Sequence, residues 1–326
     1  MTRIIAAALS LLCLLTTVPA ASAAGTGLIF VSNEKSHEVV VLDKDYQIVK
    51  RIETSRRPRD MHFNLDKTLL YVACGDDDVI DVIDVATLEV VDQIATGPSP
   101  EVFAFSPDET QLFVSNEEDS RLEVIDMESR ISVMAIPTGA EPEGVLVMPD
   151  GKTAYVTSEV ADMVHVVDVA TGAVTKNILV GTRPRRFILS PDGAELWVSC
   201  ELSSEIYIID TATNEIKDDS LVFVPPGFRE ADVTPVGMAI TKDGSKVLLS
   251  LGRANHVAIV DAKTHAVLEY VLVGKRAWSV DLSGDETLAY VANGLSDDIT
   301  VIDMASMKPL QSIPVGRVPH SVLIDD

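Results

Sequence analysis

Short runs of β-branched and aliphatic residues alternate with polar turns along the chain, from about residue 27 to its end. Runs this short, rich in Val and Ile and bounded by turn residues, predict β-strands rather than helices. Seven of the runs end in an aspartate, and successive aspartates lie 41, 42, 42, 42, 51 and 42 residues apart: Asp43, Asp84, Asp126, Asp168, Asp210, Asp261 and Asp303. The chain therefore carries a seven-fold internal repeat of about 42 residues.

Each repeat contains four predicted strands. The repeat that begins at Pro184 shows the order best: RRFIL, a turn at Asp192 and Gly193, ELWVSC, a polar loop, IYIID, and a fourth strand after TATNE. Proline and Asp-Gly are turn formers because they fix or permit the required backbone angles. A period of this length with four short strands is the signature of a β-propeller. We predict an all-β, seven-bladed propeller of four-stranded blades, forming one domain over residues 24–326.

The two ends of the chain are out of phase with the repeat. The N-terminal part enters at a second strand, and the C-terminal part finishes with a first strand. One blade must then be built from both ends, which closes the ring and removes two exposed sheet edges. We expect Ser321 to Ile324 to pair with Leu28 to Ser32.

The fifth repeat carries about nine extra residues, within positions 218–234. Insertions in repeat proteins map to loops on one face, which is often the binding face. A tolerated surface loop is the equally favoured interpretation. The sequence does not decide whether this segment, near Phe228, covers the channel.

Residues 1–23 have the features of a secretory signal peptide: a basic Arg3, an apolar run, and Ala21, Ser22 and Ala23 as a cleavage site. We therefore expect a periplasmic or secreted protein, with no membrane span in the mature chain. After cleavage, 25 basic and 50 acidic residues remain, a formal charge of −25. A charge this negative argues against binding to nucleic acid.

Two cysteines remain after cleavage, Cys74 and Cys200. They occupy the same position of repeats two and five, too far apart around a ring for a disulfide, so we expect two buried or half-buried thiols. The sequence has no Cys-x-x-Cys-His motif, which excludes covalently attached c-type haem, and no zinc-like ligand spacing. We predict no covalent cofactor and no metal site.

Two stretches, YVTSEVADMVHVVDVATGAVTKNILVGTRPRRFILSPDG and YVANGLSDDITVIDMASMKPLQSIPVGRVPH, closely resemble YVTN-type β-propeller repeats. The resemblance covers residues 27–326. Among such proteins, the chain looks most like those associated with PQQ-dependent catabolism. This resemblance implies a setting beside quinoprotein oxidation systems, with a periplasmic quinoprotein dehydrogenase, a cytochrome or a transport component as partner. It implies no defined activity.

Arginine is distributed unevenly between the two faces of the predicted ring. Eleven of the 13 arginines in the mature chain fall in the fourth-to-first strand loops, their edges, or the second-to-third strand loops, which share one face. Arginine is suited to binding carboxylate or phosphate, so an anionic small molecule, with PQQ as one candidate, is a predicted ligand. The candidate ligand-binding residues are Arg59, Arg185, Arg186, Arg276, Trp278 and His320.

The roles of these residues stay open. The arginines either pair with acids on the same face or contact a partner protein, or else they bind a small anion. We favour a non-catalytic binding or docking protein and predict no catalytic residue. The alternative is an enzyme, either a lactonase-like hydrolase or an oxidoreductase component, in which Glu101, Glu143 and His320 supply acid or base.

Overall fold

The computed structural model describes residues 25–326, so the predicted signal peptide lies outside the described residues. Seven antiparallel sheets of four or five strands follow one another along the chain and form a seven-bladed β-propeller, as the sequence predicted. No helix within residues 25–326 has the length and apolar character needed to cross a membrane.

The blades are numbered in chain order, and each is built from consecutive strands except the first. Blade 1 contains β1 (Leu28–Asn33), β2 (Glu38–Leu42), β3 (Ile48–Glu53) and β29 (Pro319–Asp325). Blade 2 contains β4 (Pro58–Phe63), β5 (Leu69–Cys74), β6 (Val79–Asp84) and β7 (Glu89–Ala95). Blade 3 contains β8 (Pro100–Phe105), β9 (Gln111–Asn116), β10 (Arg121–Asp126) and β11 (Ile131–Pro137). Blade 4 contains β12 (Pro142–Val147), β13 (Thr153–Ser158), β14 (Met163–Asp168) and β15 (Ala173–Leu179).

The remaining three blades include the irregular one. Blade 5 contains β16 (Pro184–Leu189), β17 (Glu195–Cys200), β18 (Glu205–Asp210), β19 (Glu215–Ile216) and β20 (Leu221–Val222). Blade 6 contains β21 (Met238–Ile240), β22 (Lys246–Ser250), β23 (His256–Asp261) and β24 (Val267–Leu272). Blade 7 contains β25 (Ala277–Leu282), β26 (Leu288–Asn293), β27 (Asp298–Asp303) and β28 (Lys308–Pro314).

The hydrophobic core lies between the blades. Phe30 of blade 1 is completely buried and packs with Met61 and Leu70 of blade 2, and six similar clusters fill the other gaps. The second and third strands of each blade are mainly apolar on both faces because each blade is sandwiched between two others. Cys74 and Cys200 are buried free thiols, as predicted.

The insertion in blade 5 divides the outer strand into two short pieces, β19 and β20, that both pair with β18. A single turn of 3₁₀ helix (Glu230–Asp232) follows. Phe223 and Val233 are buried against blade 6, and the rings of Phe228 and His256 meet edge to face with centroids 5.5 Å apart. The segment therefore packs between blades 5 and 6, and its residues do not line the central cavity described below.

Ring closure occurs where the sequence predicted it. In blade 1, β29 pairs with β1 in an antiparallel register that places Val31 opposite Val322 and Ile29 opposite Ile324. Beyond the strand, the Thr26 hydroxyl donates a 2.6 Å hydrogen bond to the Asp325 carboxylate. The last strand of the chain thus pairs with the first strand and completes blade 1.

The closing strand provides a direct test of the ring. Val322 is 2% exposed and packs in the core shared by blades 7 and 1, so Val322→Asp would place an unpaired charge in that core. We expect it to lower the free energy of unfolding by at least about 4 kcal/mol, measured by denaturant titration. Val133→Asp, on an exposed outer strand, is the control and should change stability by less than about 0.5 kcal/mol. Equal effects at the two positions would contradict the closure.

Candidate functional site

The innermost strand of six blades has a β-bulge at its start, and β21 of blade 6 is the exception. The pairing register of β4, β8, β12 and β16 with the next strand shifts over the two residues that follow the loop proline. A bulge bends the strand and re-aims the side chains within it. In blade 5 these two residues are Arg185 and Arg186, and both take part in the charged network at the channel mouth.

A hydroxyl group from the second strand fixes this bulge. In blade 5, the Ser199 hydroxyl accepts a 3.1 Å hydrogen bond from the Arg186 amide and donates one of 2.7 Å to the carbonyl of Val236 in the adjoining repeat. The same two contacts are made by hydroxyls in four other blades: Ser32, Ser115, Thr157 and Ser250. Each hydroxyl therefore sets the start of its own inner strand and ties it to the next blade.

The channel mouth is closed by a network of alternating charges, here called the ion ring. Its members are six arginines and five glutamates from blades 2, 3, 4, 5 and 7: Arg57, Arg59, Arg183, Arg185, Arg186, Arg276, Glu101, Glu117, Glu143, Glu159 and Glu201. Most contacts join different blades. The ring therefore links the inner ends of the sheets around the axis.

Two blade-to-blade contacts show how closely the charges are matched. Arg59 Nη1 lies 2.5 Å from Glu101 Oε2, and the Glu101 side chain is completely buried. Burial raises the pKa of Glu101 to about 8, although Arg59 opposes this rise. Arg276 Nη2 donates a 3.0 Å hydrogen bond to Glu201 Oε1. Buried charges are tolerated only when they are paired and hydrogen-bonded, so the pairing is a condition for this arrangement.

Glu143 is the most heavily neutralised acid of the ring. It contacts Arg186 directly and lies 3.7 Å from Arg185 and 3.8 Å from Arg59. Burial opposes its ionisation, but the three guanidinium groups outweigh burial, so the pKa of Glu143 falls well below its usual range. Glu143 is therefore a fixed negative charge, unsuited to exchanging protons near neutral pH.

His320 is a neutral acceptor within this positive surrounding. Burial, followed by the nearby Arg59 and Arg186, holds the pKa of His320 well below its usual value. Arg59 Nε donates a 3.1 Å hydrogen bond to Nε2 of His320. Because arginine can only donate, Nε2 carries no proton, and Nδ1–H is left to donate to the Ser321 hydroxyl 3.2 Å away.

Trp278 is surrounded by the protein's own cations. The guanidinium carbons of Arg276 and Arg185 lie 4.7 and 5.0 Å from the centre of its ring, and the ring of His320 lies 5.5 Å away. Cation–π contacts of this kind are favourable where water is excluded. They also compete with any planar ligand for the indole surface.

A central cavity of about 210 Å³ lies along the inner strands, and Arg186, Trp278 and His320 line it. A second cavity of similar volume lies at the mouth, and Trp278 and His320 line that one too. These two side chains therefore form a partition between the mouth and the channel.

Two titratable groups lie further into the cavity, each two residues along its strand from the bulge. His62 Nε2 lies 3.0 Å from the Asp60 carboxylate, and its side chain is 44% accessible because it faces the channel. Burial lowers the pKa of His62, but Asp60 more than offsets this, and the net effect is a rise. Burial raises the pKa of Asp281 to about 6.

The six residues predicted from sequence share one end of the molecule. Arg59, Arg185, Arg186 and Arg276 belong to the ion ring, and Trp278 and His320 adjoin it. The predicted pairing of these arginines with acids of the same face describes their contacts, and ligand binding by the six residues stays a prediction. Within residues 25–326, no three His, Cys, Asp or Glu side chains meet in a way that would hold a metal ion.

Sequence reasoning overlooked several members of the site. Glu159 and Glu201 occupy the same repeat position, directly after the second strand. That shared position could have identified both as members of the site. Asp60, Ser279 and Ser321 occupy the second bulge position with Arg186. A bulge brings two adjacent side chains to the axis, whereas simple strand alternation predicts only one.

No protein-family model and no curated protein sequence matches the chain. Solved structures do match it across almost its whole length. Hydrazine synthase from Kuenenia stuttgartiensis is 22% identical, with a TM-score of 0.77, covering 90% of this chain and 99% of that one. A periplasmic gluconolactonase from Pseudomonas aeruginosa is 20% identical, with a TM-score of 0.77, covering 92% and 99%.

A putative 6-phosphogluconolactonase from Bacteroides uniformis gives a TM-score of 0.75 at 14% identity, covering 91% and 98% of the two chains. Similarity at these levels shows the fold alone. The chain shares its seven-bladed propeller with proteins of different activities. Membership of the YVTN-type family and the link to PQQ-dependent catabolism remain predictions.

The pairing within the ion ring predicts that removal of one charge lowers the free energy of unfolding substantially. Glu143→Gln keeps the size of the side chain but leaves Arg59, Arg185 and Arg186 short of a counter-charge. We expect the free energy of unfolding to fall by about 3–5 kcal/mol, measured by denaturant titration at neutral pH. Glu118→Gln, an exposed change on the same face, should stay within about 0.5 kcal/mol of the native protein. A loss below about 1 kcal/mol for Glu143→Gln would show that the ring is not a paired, buried network.

Proposed function

We propose that this protein is an exported, non-catalytic binding and docking protein that serves a quinoprotein oxidation system. Its contact surface is the arginine-bearing face around the channel mouth. The main support is that the candidate acid–base residues on that face are already buried in contacts with the protein's own arginines. Glu101, Glu143 and His320 are at most 3% exposed, and all three contact arginines.

The same face retains arginines that are free to contact a partner. Arg253 and Arg317 are exposed, and neither has an acidic partner among residues 25–326. Because these two guanidinium groups have no counter-charge in the described part of the chain, they can pair with carboxylates of an acidic partner and speed its association. A periplasmic quinoprotein dehydrogenase, a cytochrome or a transport component is the expected partner, and PQQ is a candidate small ligand at the mouth.

Charge reversal on this face tests the proposal. We expect Arg253→Glu/Arg317→Glu to weaken binding of a purified PQQ-dependent dehydrogenase at least about tenfold, mainly through slower association, in a surface-binding assay at low salt. Lys44→Glu/Lys263→Glu makes the same charge change on the opposite face of blades 1 and 6, and should leave binding unaltered.

Three results would contradict the docking role. The first is that the native protein binds none of the three probes: the dehydrogenase, its cytochrome and PQQ. The second is that the two double variants lose affinity equally, which would point to net charge rather than a specific face. Binding that does not weaken as salt is raised would also contradict electrostatic docking.

A lactonase-like hydrolase is the second candidate. It is supported by the Asp60–His62 pair and by Asp281, whose pKa is near 6, because all three residues line the channel cavity. A carboxylate poised at that value is suited to act as a general base near neutral pH. The similarity in fold to the gluconolactonase motivates the choice of substrate.

Hydrolysis of glucono-δ-lactone tests this second candidate against the uncatalysed rate. If Asp281 is the base, it acts only when deprotonated, so kcat/KM should rise as the pH passes about 6. Asp281→Asn should then lower the rate by about 10²-fold or more. A native rate equal to the uncatalysed rate, or an unaffected Asp281→Asn variant, would eliminate this mechanism.

A further inference from the structure

Three residues that line the central cavity each carry a hydrogen-bond donor with no acceptor among the described residues. Arg186 Nη2, Trp278 Nε1 and Ser279 Oγ are buried atoms, and none of them has a hydrogen-bond partner among the described residues. They come from two blades, 5 and 7. An unpaired buried donor costs about 1–3 kcal/mol, so three such donors on residues of one cavity indicate a missing acceptor.

The chemistry of these donors restricts what can satisfy them. Guanidinium and indole nitrogens donate and never accept, so the missing group must supply acceptors. The Ser321 hydroxyl also lines the cavity, and it accepts from His320 Nδ1, which leaves its own hydrogen available to donate. A carboxylate, with two oxygens and a negative charge beside Arg186, meets all of these requirements.

The far part of the cavity offers a hydrogen-bond acceptor, Asp281, instead of unpaired donors. His62 and Asp281 lie two residues further along their strands than Asp60 and Ser279, which corresponds to about 6–7 Å. A second carboxylate placed there would face Asp281, whereas a hydroxyl can donate to that group. The cavity volume of about 210 Å³ also lies below the roughly 300–1,000 Å³ typical of sites for drug-sized ligands.

We propose that the central cavity binds a small hydroxycarboxylate, with its carboxylate on Arg186, Trp278 and Ser279 and its hydroxyl end toward Asp281. This site lies beneath the ion ring and does not depend on docking by the outer face. Because Trp278 and His320 separate the cavity from the mouth, a ligand enters either past these two side chains or from the opposite end of the channel.

Glycerate is the probe for this site, with glycerol as its neutral counterpart and malonate as a dicarboxylate. We expect glycerate to bind saturably with a Kd of about 1 mM or lower by titration calorimetry, and glycerol and malonate at least about tenfold more weakly. The chain has two tryptophans, so Trp197→Phe leaves Trp278 as the single fluorescent reporter. Glycerate should alter its emission with the same Kd.

Two conservative variants identify the donors. Trp278→Phe removes the indole N–H but keeps an aromatic ring between the arginines, and Ser279→Ala removes one hydroxyl. Each should weaken glycerate binding by about tenfold. Trp197→Phe is the matched control: Trp197 lies outside the cavity, its N–H already has Glu195 as a partner at 3.4 Å, and glycerate affinity should not change.

A single cooperative thermal unfolding transition would show that each variant is folded. The proposal is overturned if native protein shows no saturable glycerate binding, if glycerol binds equally well, or if Trp278→Phe/Ser279→Ala retains native affinity. The docking proposal is tested with variants of Arg253 and Arg317, which lie outside this cavity. Failure of docking and failure of glycerate binding can therefore be told apart.

Discussion

The pairing of buried charges at the axis is the constraint on which this propeller depends. Seven sheets arranged in a ring bring seven inner strands together, and in this chain five blades place arginine or glutamate at that point. Charges removed from water are stable only when each has partners of opposite sign. The blades must therefore keep a fixed rotation about the axis, because a shift of one blade would leave charges on two neighbours unpaired.

A repeated backbone device makes this pairing possible. In six blades a bulge at the start of the inner strand directs two adjacent side chains inward. In five blades a serine or threonine hydroxyl binds the start of the inner strand and also the next blade, as Ser199 does. Blades 2 and 7 have Ala73 and Ala292 at the hydroxyl position instead. Similar sheets thus present different side chains at the axis on a shared backbone arrangement. This explains how one architecture supports proteins of different activities, such as those it resembles.

Much of the fold could be predicted from the sequence because it depends on local patterns. The aspartate period, the Asp-Gly turns and the displaced ends determine the blade count and the closing pair, Val31 with Val322. The site was predicted only in part. The repeat position of Arg185 indicates that it lies near the axis, but the partners of its guanidinium depend on how blades rotate against each other. The spare donors of Trp278 and Ser279 are likewise visible only when every neighbouring acceptor has been located.

The most direct test of this account is a double-mutant cycle between Arg59 and Glu101, which join blades 2 and 3 at 2.5 Å. Unfolding free energies would be measured for Arg59→Met, Glu101→Gln and the double variant at pH 9, where Glu101, whose pKa is raised to about 8, is ionised. A buried, closely paired contact predicts a coupling energy above about 1.5 kcal/mol. A coupling below about 0.5 kcal/mol, the range of exposed surface pairs, would contradict the claim that paired charges hold the blades around the axis.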